Sequence, residues 1–283
     1  RASDVIGGTP GASNGGLNLT SINIDFLVSW NIVGLPAEVW NTSSSFLYPD
    51  SDDGTLYGFD EYYFNTDELL MGEGYWLHFP DAGSTIISGT PITSMTVSLN
   101  EGWNLFSGIS EMVNVAVNIS DPGGIIVPNT IYEFTGSYAN ASMLIPGHGY
   151  WINASADGDI TISSGGAAKT ISAFTDRTAN ANKLSFNGND LYFGVSIPAE
   201  DMFSYQLPPK PPKGAFDVRF SDGWKIASDY GEIEVMNNSP TLIINYKIVV
   251  DDNNWILTSE SGRKHLLGGA GEIIVSSEEK FIL

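Results

Sequence analysis

An internal duplication constrains the fold of this chain more than any other feature. The stretch MGEGYWLHF at residues 71–79 recurs as GHGYWI at residues 147–152, with two glycines, a tyrosine and a tryptophan in the same order. The match extends upstream at a constant offset of 73, where Ile22, Ile24, Phe26 and Trp30 correspond to Met95, Val97, Leu99 and Trp103. A repeat of this length predicts one supersecondary unit that is built twice.

Both copies carry the period of β-strands. Apolar and polar residues alternate in INIDFLVSW and in MTVSLNEGW, as they do in a half-buried strand. Turn-forming stretches such as PDSDDG, DPGG and SADGD follow at short intervals, which is typical of an all-β chain. The segment that favours a short helical turn is 66–70.

The third part of the chain differs in composition but is also predicted to be β. Lysine first appears at Lys169, after the glycine-rich stretch SSGGAAK, and Asn187 with Gly188 predicts a type I′ hairpin. We therefore predict an all-β fold with two related β repeat units followed by an immunoglobulin-like β-sandwich. The predicted parts are a flexible N-terminal arm or linker at 1–20, repeat units at 21–93 and 94–166, and the sandwich at 167–283.

One proline-rich stretch interrupts the predicted sandwich. LPPKPPKG, residues 207–214, contains four prolines, which have no main-chain N–H to donate. We expect this segment to be an extended crossing between strands or sheets. The alternative is that it is a proline-rich ligand for a partner protein.

Charge restricts the partners of the chain. It has 33 acidic and 12 basic residues, for a net charge of −21. Residues 1–168 hold one basic residue against eighteen acidic ones, a net charge of −17. Such a surface repels nucleic acid phosphates and anionic membranes, and there is no apolar run long enough to insert into a membrane.

The repeated aromatic pairs are the candidate binding residues. On a strand, Tyr75 and Trp76 must point to opposite faces, as must Tyr150 and Trp151. We therefore expect one ring of each pair inside and one outside, where it would stack on a sugar or anchor a partner. The alternative is a structural role, because the two copies share apolar residues and glycines but not their polar neighbours.

No catalytic constellation is evident, and the chain is predicted not to be an enzyme. The three histidines lie in no spacing that supports a zinc site or a nucleophile-base pair, and cysteine is absent. The turn DSDDGT offers the carboxylates of Asp50, Asp52 and Asp53 as oxygen ligands. Calcium is therefore the one cofactor that the sequence predicts. A solvated acidic turn is the alternative.

Longer blocks of the sequence resemble a known bacterial family. SWNIVGLP, LYGFDEYY and DELLMGEGYWLHF in the first copy, and GWNLFSGIS, IYEFTGSY and LIPGHGYWINAS in the second, are similar to a repeat of surface and secreted proteins that use the type IX route. The tail, with LPPKPPKGAFDVRFSDGW and GEIIVSSEEKFIL, resembles the β-sandwich that follows these repeats. The resemblance covers residues 22–283, and the family's sorting domain would begin after Leu283.

The resemblance implies an extracellular, non-catalytic protein of the bacterial surface. We expect a structural or adhesive role, with self-association into a fibre, sheath or surface layer. The second hypothesis is a carbohydrate-binding module that uses outward rings of the two aromatic pairs, with polysaccharide as its partner and calcium at the acidic turn.

Overall fold

The computed structural model of the protein is all-β, which confirms the predicted fold class. It describes residues 18–165, 174–237, 239–250, 255–276 and 280–283. Most of the predicted N-terminal arm, residues 1–17, lies outside the described residues. Residues 166–173, which include the predicted boundary between the second repeat unit and the sandwich, also lie outside them. The described helices are two four-residue α-helices and three short 3₁₀ turns.

The first repeat unit contains two antiparallel sheets. Its elements are β1 (Thr20–Phe26), β2 (Ser29–Gly34), β3 (Ala37–Glu38), α1 (Ser44–Leu47), β4 (Tyr57–Asp60), β5 (Tyr62–Asn65), β6 (Gly74–Phe79) and β7 (Gly83–Pro91). One sheet has the strand order β2-β6-β4-β5 and the other β1-β7-β3. The predicted helical turn at 66–70 is not helical; the helix of this unit is α1, which precedes it.

The second repeat unit continues directly from the first. Its elements are β8 (Ser94–Leu99), β9 (Gly102–Ser107), β10 (Val113–Asn114), α2 (Val115–Asn118), β11 (Ile119–Ser120), β12 (Tyr132–Phe134), β13 (Tyr138–Asn140), β14 (Met143–Leu144), β15 (Gly149–Ala154) and β16 (Gly158–Ser163). Its sheets have the orders β9-β15-β12-β13, β8-β16-β11 and β10-β14.

The two units share one topology. The sheet β2-β6-β4-β5 of the first matches β9-β15-β12-β13 of the second, and the long pair β1-β7 matches β8-β16. The register agrees as well, since Tyr57 lies opposite Trp76 and Tyr132 lies opposite Trp151. The alternating sequence places equivalent residues on equivalent faces because a strand changes face at every residue.

The third part is a sandwich of two five-stranded sheets. Its strands are β17 (Asn182–Phe186), β18 (Asn189–Phe193), β19 (Asp217–Phe220), β20 (Ile226–Ala227), β21 (Glu232–Met236), β22 (Thr241–Lys247), β23 (Trp255–Ser259), β24 (Lys264–Leu267), β25 (Ala270–Ser276) and β26 (Lys280–Ile282). The sheet orders are β20-β18-β17-β22-β25 and β19-β21-β26-β23-β24. The 3₁₀ turns span Thr178–Asn180, Met202–Tyr205 and Ser221–Gly223.

The predicted hairpin of the sandwich is confirmed. Asn187 and Gly188 join β17 to β18 with φ angles of 47° and 90°. Both angles are positive, as a type I′ turn requires, and Asn and Gly tolerate this conformation better than other residues.

Four hydrophobic cores hold the described residues together. Each repeat unit has a core between its own sheets, and the sandwich has a third between its two sheets. The fourth contains Ile32, Trp76, Leu105, Tyr132, Phe134, Trp151, Leu207 and Ala215, which come from all three parts of the chain. We call this fourth cluster the joint core. It contains Trp76 and Trp151, two of the four predicted binding residues.

Candidate functional site

The four candidate aromatic residues are all buried. Tyr75 lies in the core of the first unit and Tyr150 in that of the second, whereas Trp76 and Trp151 both enter the joint core. The rings of each pair therefore point to opposite faces, but none is more than 1% exposed. The expectation of one outward ring in each pair is wrong, because the second face of each central sheet is covered by the other unit and by the sandwich.

Ring contacts in the joint core are reciprocal between the two units. Trp76 of the first unit meets Phe134 of the second edge to face, with ring centroids 4.8 Å apart. Trp151 of the second unit meets Phe59 of the first in the same way, also at 4.8 Å. Equivalent residues thus exchange equivalent contacts, as in an isologous interface with two-fold symmetry.

Main-chain hydrogen bonds repeat this exchange. The N–H of Gly34 donates to the carbonyl of Gly147, and the N–H of Ser107 donates to the carbonyl of Gly72, both at 3.0 Å. Gly34 and Ser107 end the equivalent strands β2 and β9, and Gly72 and Gly147 open the two repeated motifs. The repeat units are therefore joined about a pseudo-two-fold axis.

The glycines of the motif have two separate structural roles. Gly72 and Gly147 have φ angles of 87° and 81°, a left-handed conformation that L-residues with side chains rarely adopt. Gly74 and Gly149 lie where the two units cross: a Cβ on Gly149 would be 2.9 Å from the carbonyl oxygen of Val33 and 3.2 Å from the Cα of Gly74. The motif is kept twice because the symmetric crossing needs it twice.

The proline-rich segment 207–214, here called the strap, lies across the joint core. The Tyr63 hydroxyl donates to the carbonyl of Lys210 at 2.9 Å, and the Tyr138 hydroxyl donates to the carbonyl of Pro209 at 2.7 Å. Tyr63 and Tyr138 are equivalent residues of the two units, so a symmetric pair of side chains binds two consecutive carbonyls. The strap therefore crosses the pseudo-two-fold axis.

Further contacts fix both ends of the strap. The indole N–H of Trp30 donates to the carbonyl of Lys213 at 3.1 Å. At the other end, Arg219 Nη1 donates to the carbonyl of Pro208 at 2.8 Å. Arg219 is buried with Asp217, which it contacts through two hydrogen bonds; burial lowers the pKa of Arg219, but Asp217 outweighs this effect and raises it. Arg219, held by Asp217, therefore binds the carbonyl of Pro208 through a charge-assisted hydrogen bond.

Removing the two tyrosine hydroxyls tests the attachment of the strap. In Tyr63→Phe and in Tyr138→Phe, one strap carbonyl loses its donor, and we expect each change to lower the free energy of unfolding by about 1–3 kcal/mol. Chemical denaturation measures the effect. Tyr62→Phe is the control, because Tyr62 is 78% exposed on the same hairpin as Tyr63 and should change stability by less than about 0.5 kcal/mol. Equal stability of all three variants would show that the strap is not held by these hydroxyls.

Beside the joint core is an open cleft of about 850 Å³ between the two repeat units. Aromatic rings and carboxylates from both units line it: Phe59, Phe64, Trp103, Asp60, Glu61, Glu73, Glu101 and Asp157. Pro209 of the strap closes one side, and the described lining residues include no lysine, arginine or histidine. The cleft combines ring faces with polar groups in one concave surface, which is the usual character of a ligand site.

The buried Tyr75 contributes to this cleft indirectly. Its hydroxyl donates to the Glu73 carboxylate at 2.7 Å and accepts the main-chain N–H of Leu70. Burial raises the pKa of Tyr75, and Glu73 raises it further. Across the cleft, the Asp157 carboxylate accepts the N–H of Glu101 at 2.8 Å. Two of the carboxylates are therefore held in place by their neighbours.

The cleft breaks the symmetry of the two units. Asp60, Glu61 and Glu73 of the first unit are replaced at equivalent positions of the second by Thr135, Gly136 and His148. The repeated residues form the core, whereas the carboxylates of the first unit's motif have no counterparts in the second. Aligning the two copies shows these substitutions, but it does not show that the carboxylates line one cleft.

His148, the counterpart of Glu73 in the second unit, is expected to make the stability of the fold depend on pH. Burial lowers the pKa of His148, an effect that Asp25 only partly opposes. The unfolded chain, with an ordinary histidine pKa of about 6.5, then binds more protons than the folded one, so stability falls as the pH drops below that value. We expect the melting temperature to decrease between pH 7.5 and pH 5.5, and the decrease to be smaller in His148→Gln. Parallel melting curves for the two proteins would contradict this.

The acidic turn predicted to bind calcium has a different arrangement. Asp52 Oδ2 lies 2.6 Å from His78 Nδ1, and the Thr55 hydroxyl donates to the main-chain carbonyl of Asp52. Among the described residues, no group of three or more histidine, aspartate or glutamate side chains is placed to hold a metal ion. Calcium binding by Asp50, Asp52 and Asp53 stays a prediction.

Exposed aromatic residues also occur outside the repeated motif. Trp40 is 83% exposed and meets Phe46, which is 50% exposed, at a centroid distance of 5.0 Å. On the rim of the cleft, Phe64 is 44% exposed. Because these residues are not part of the repeated motif, aligning the two copies does not single them out.

Comparisons with family models, curated proteins and solved structures gave no significant match to this chain. The resemblance to type IX surface proteins therefore stays an expectation from the sequence. Within the part of the chain that the structure describes, no helix is long and apolar enough to cross a membrane.

Proposed function

We propose that this protein is a non-catalytic extracellular module of a bacterial surface, with a structural or adhesive role carried out through self-association. The observation that supports this best is the joint core, in which residues from all three parts of the chain pack together. The repeated aromatic pairs are used internally, for rigidity, and the acidic exterior suits a protein outside the cell.

Self-association is tested directly on the purified chain. Negative-stain electron microscopy and sedimentation velocity at physiological salt should show fibres, sheets or concentration-dependent oligomers. A single monomeric species over the whole accessible concentration range would contradict a self-assembling role. It would leave an adhesive role in which single copies bind a surface.

Polysaccharide binding is a second candidate, and the cleft is the observation that favours it. Aromatic rings present faces for the apolar side of a sugar, and carboxylates and amides bind hydroxyl groups. This proposal moves the site from the buried rings to the rim residues Phe64 and Glu61. Calcium, if bound, would be held at the separate acidic turn.

A glycan array with matched variants tests the second candidate. We expect Phe64→Ala and Glu61→Gln to lose binding that the unmodified protein shows, and Trp40→Ala to keep it. Loss with Trp40→Ala alone would transfer the site to the exposed Trp40–Phe46 pair. No bound glycan, or equal binding by all variants, would remove the cleft as a sugar site. Repeating the array with a chelator tests the calcium prediction.

A further inference from the structure

The strap is bound in the way that receptors bind extended proline-rich peptides. The three donors of the repeat units are the hydroxyls of Tyr63 and Tyr138 and the indole of Trp30, and their acceptors are main-chain carbonyls of the strap. Aromatic grooves recognise polyproline segments by such contacts, because these segments expose carbonyls that have no internal partner. We call the surface formed by these three residues the groove.

The groove and the strap belong to parts of the chain with separate cores. The repeat units enclose their own clusters, and the sandwich that carries the strap encloses another. Among the described residues, no strand ladder joins a repeat unit to the sandwich. The buried apolar residues that the sandwich adds to the joint core are Leu207 and Ala215. The contact therefore joins parts of the chain that also have cores of their own.

The strap is locally opposite in charge to the repeat units that it covers. Residues 1–168 carry a net charge of −17, and the strap brings Lys210 and Lys213 to their surface. Lys225 of the sandwich also reaches the second unit, with its Nζ 3.5 Å from Asn140 Oδ1. Lys210 also pairs with Glu234 of the sandwich, and residues 169–283 carry a net charge of −4, so the repeat units and the sandwich as wholes are both acidic. The local charge of the strap does not specify that strap and groove belong to one chain.

From these contacts we propose that the strap of one copy docks in the groove of a second copy. The exchange uses the same hydrogen bonds that the structure shows within one chain, so it needs no new interface. Each copy has one groove and one strap, and successive exchange produces an open, head-to-tail polymer. This inference rests on the proposed self-association and names its interface.

A zero-length cross-link distinguishes exchange from docking within one chain. In Asn140→Asp, the new carboxylate faces Lys225, and a carbodiimide couples the two as an amide while it takes up the water that is released. Protein labelled with ¹⁵N is mixed with equal unlabelled protein, unfolded, refolded at high concentration, cross-linked and digested. Mass spectrometry then shows whether residues 140 and 225 of each linked pair carry the same label or different labels.

The expected result is that about half of the 140–225 pairs in the assembled fraction carry mixed labels, because exchanged partners are drawn at random from the two pools. The monomer fraction should contain only pairs of one label. The variant Asn140→Asp combined with Lys225→Arg is the control and should give no such pair. If the assembled fraction also contains only pairs of one label, the strap stays in its own groove; exchange is then overturned, while self-association stands.

A second probe covers the case in which Asn140→Asp does not fold. Replacing Tyr138 by photoreactive p-benzoylphenylalanine places the reactive ketone beside Pro209. The same isotope mixing is then read from the photoproduct with the strap. Mixed labels support exchange and single labels overturn it. If neither protein assembles at any concentration, exchange and the self-associating form of the proposed function both fail.

Discussion

Replacing Trp151 by alanine is expected to lower the free energy of unfolding by about 3–5 kcal/mol, the usual cost of truncating a large buried ring. Trp151 is completely buried in the joint core and contacts Phe59 of the other unit and Trp103 of its own. Its removal therefore leaves a cavity at the junction of all three parts of the chain. Urea denaturation followed by circular dichroism measures the loss.

Two further substitutions make this result specific. Trp76→Ala should cost about as much as Trp151→Ala, because the pseudo-two-fold axis gives both rings equivalent surroundings. Trp40→Ala removes the same atoms from a side chain that is 83% exposed, and we expect a change of less than about 0.5 kcal/mol. If all three variants were equally stable, the rings of the repeated motif would not support the fold.

Adding a single methyl group at Gly149 is expected to destabilise the protein by about 1–3 kcal/mol through overpacking. The new Cβ would be 2.9 Å from the main-chain carbonyl oxygen of Val33 and 3.2 Å from the Cα of Gly74. These are backbone atoms, which cannot rotate away as a side chain does. Relief therefore requires the two repeat units to move apart, and thermal unfolding of Gly149→Ala reports the cost.

The matched control adds the same methyl group away from the crossing. Gly165 is exposed, and among the described residues a Cβ there would meet only the Ser163 hydroxyl at 3.6 Å, an ordinary contact distance. Gly165→Ala should therefore be as stable as the unmodified protein, within about 0.5 kcal/mol. Similar melting temperatures for the two alanine variants would show that the units do not cross tightly at Gly149.

Much of the fold follows from the sequence by local rules. The alternation in INIDFLVSW and MTVSLNEGW specifies strands, and the self-match specifies that one topology is built twice. Asn187 and Gly188 specify a hairpin because few residues accept their positive φ angles. These features depend on neighbouring residues, so they can be read without knowing the tertiary structure.

The candidate site depends on contacts between distant residues, and the sequence could not supply them. Strand alternation correctly placed Tyr75 and Trp76 on opposite faces, but it does not say what covers each face. A strand with both faces buried has the same side-chain geometry as one with a solvent face. The cover comes from Phe134 and from the strap, about 60 and 130 residues away along the chain.

The contacts of the strap could not be predicted from the sequence either. Its prolines predict an extended segment without main-chain donors, and the structure places an extended crossing at the joint core. Nothing in LPPKPPKG indicates that Tyr63 and Tyr138 would donate to its carbonyls. That pairing arises because the duplicated units bring equivalent tyrosines to the two sides of one axis.

The two repeat units share one interior, and a double-mutant cycle across it measures whether their rings depend on each other. Trp76 and Phe134 belong to different units and meet edge to face at 4.8 Å. We predict that Trp76→Phe and Phe134→Leu are coupled by about 0.5–1.5 kcal/mol in the free energy of unfolding, as aromatic pairs in contact are. Strictly additive effects of the two substitutions would contradict a shared interior.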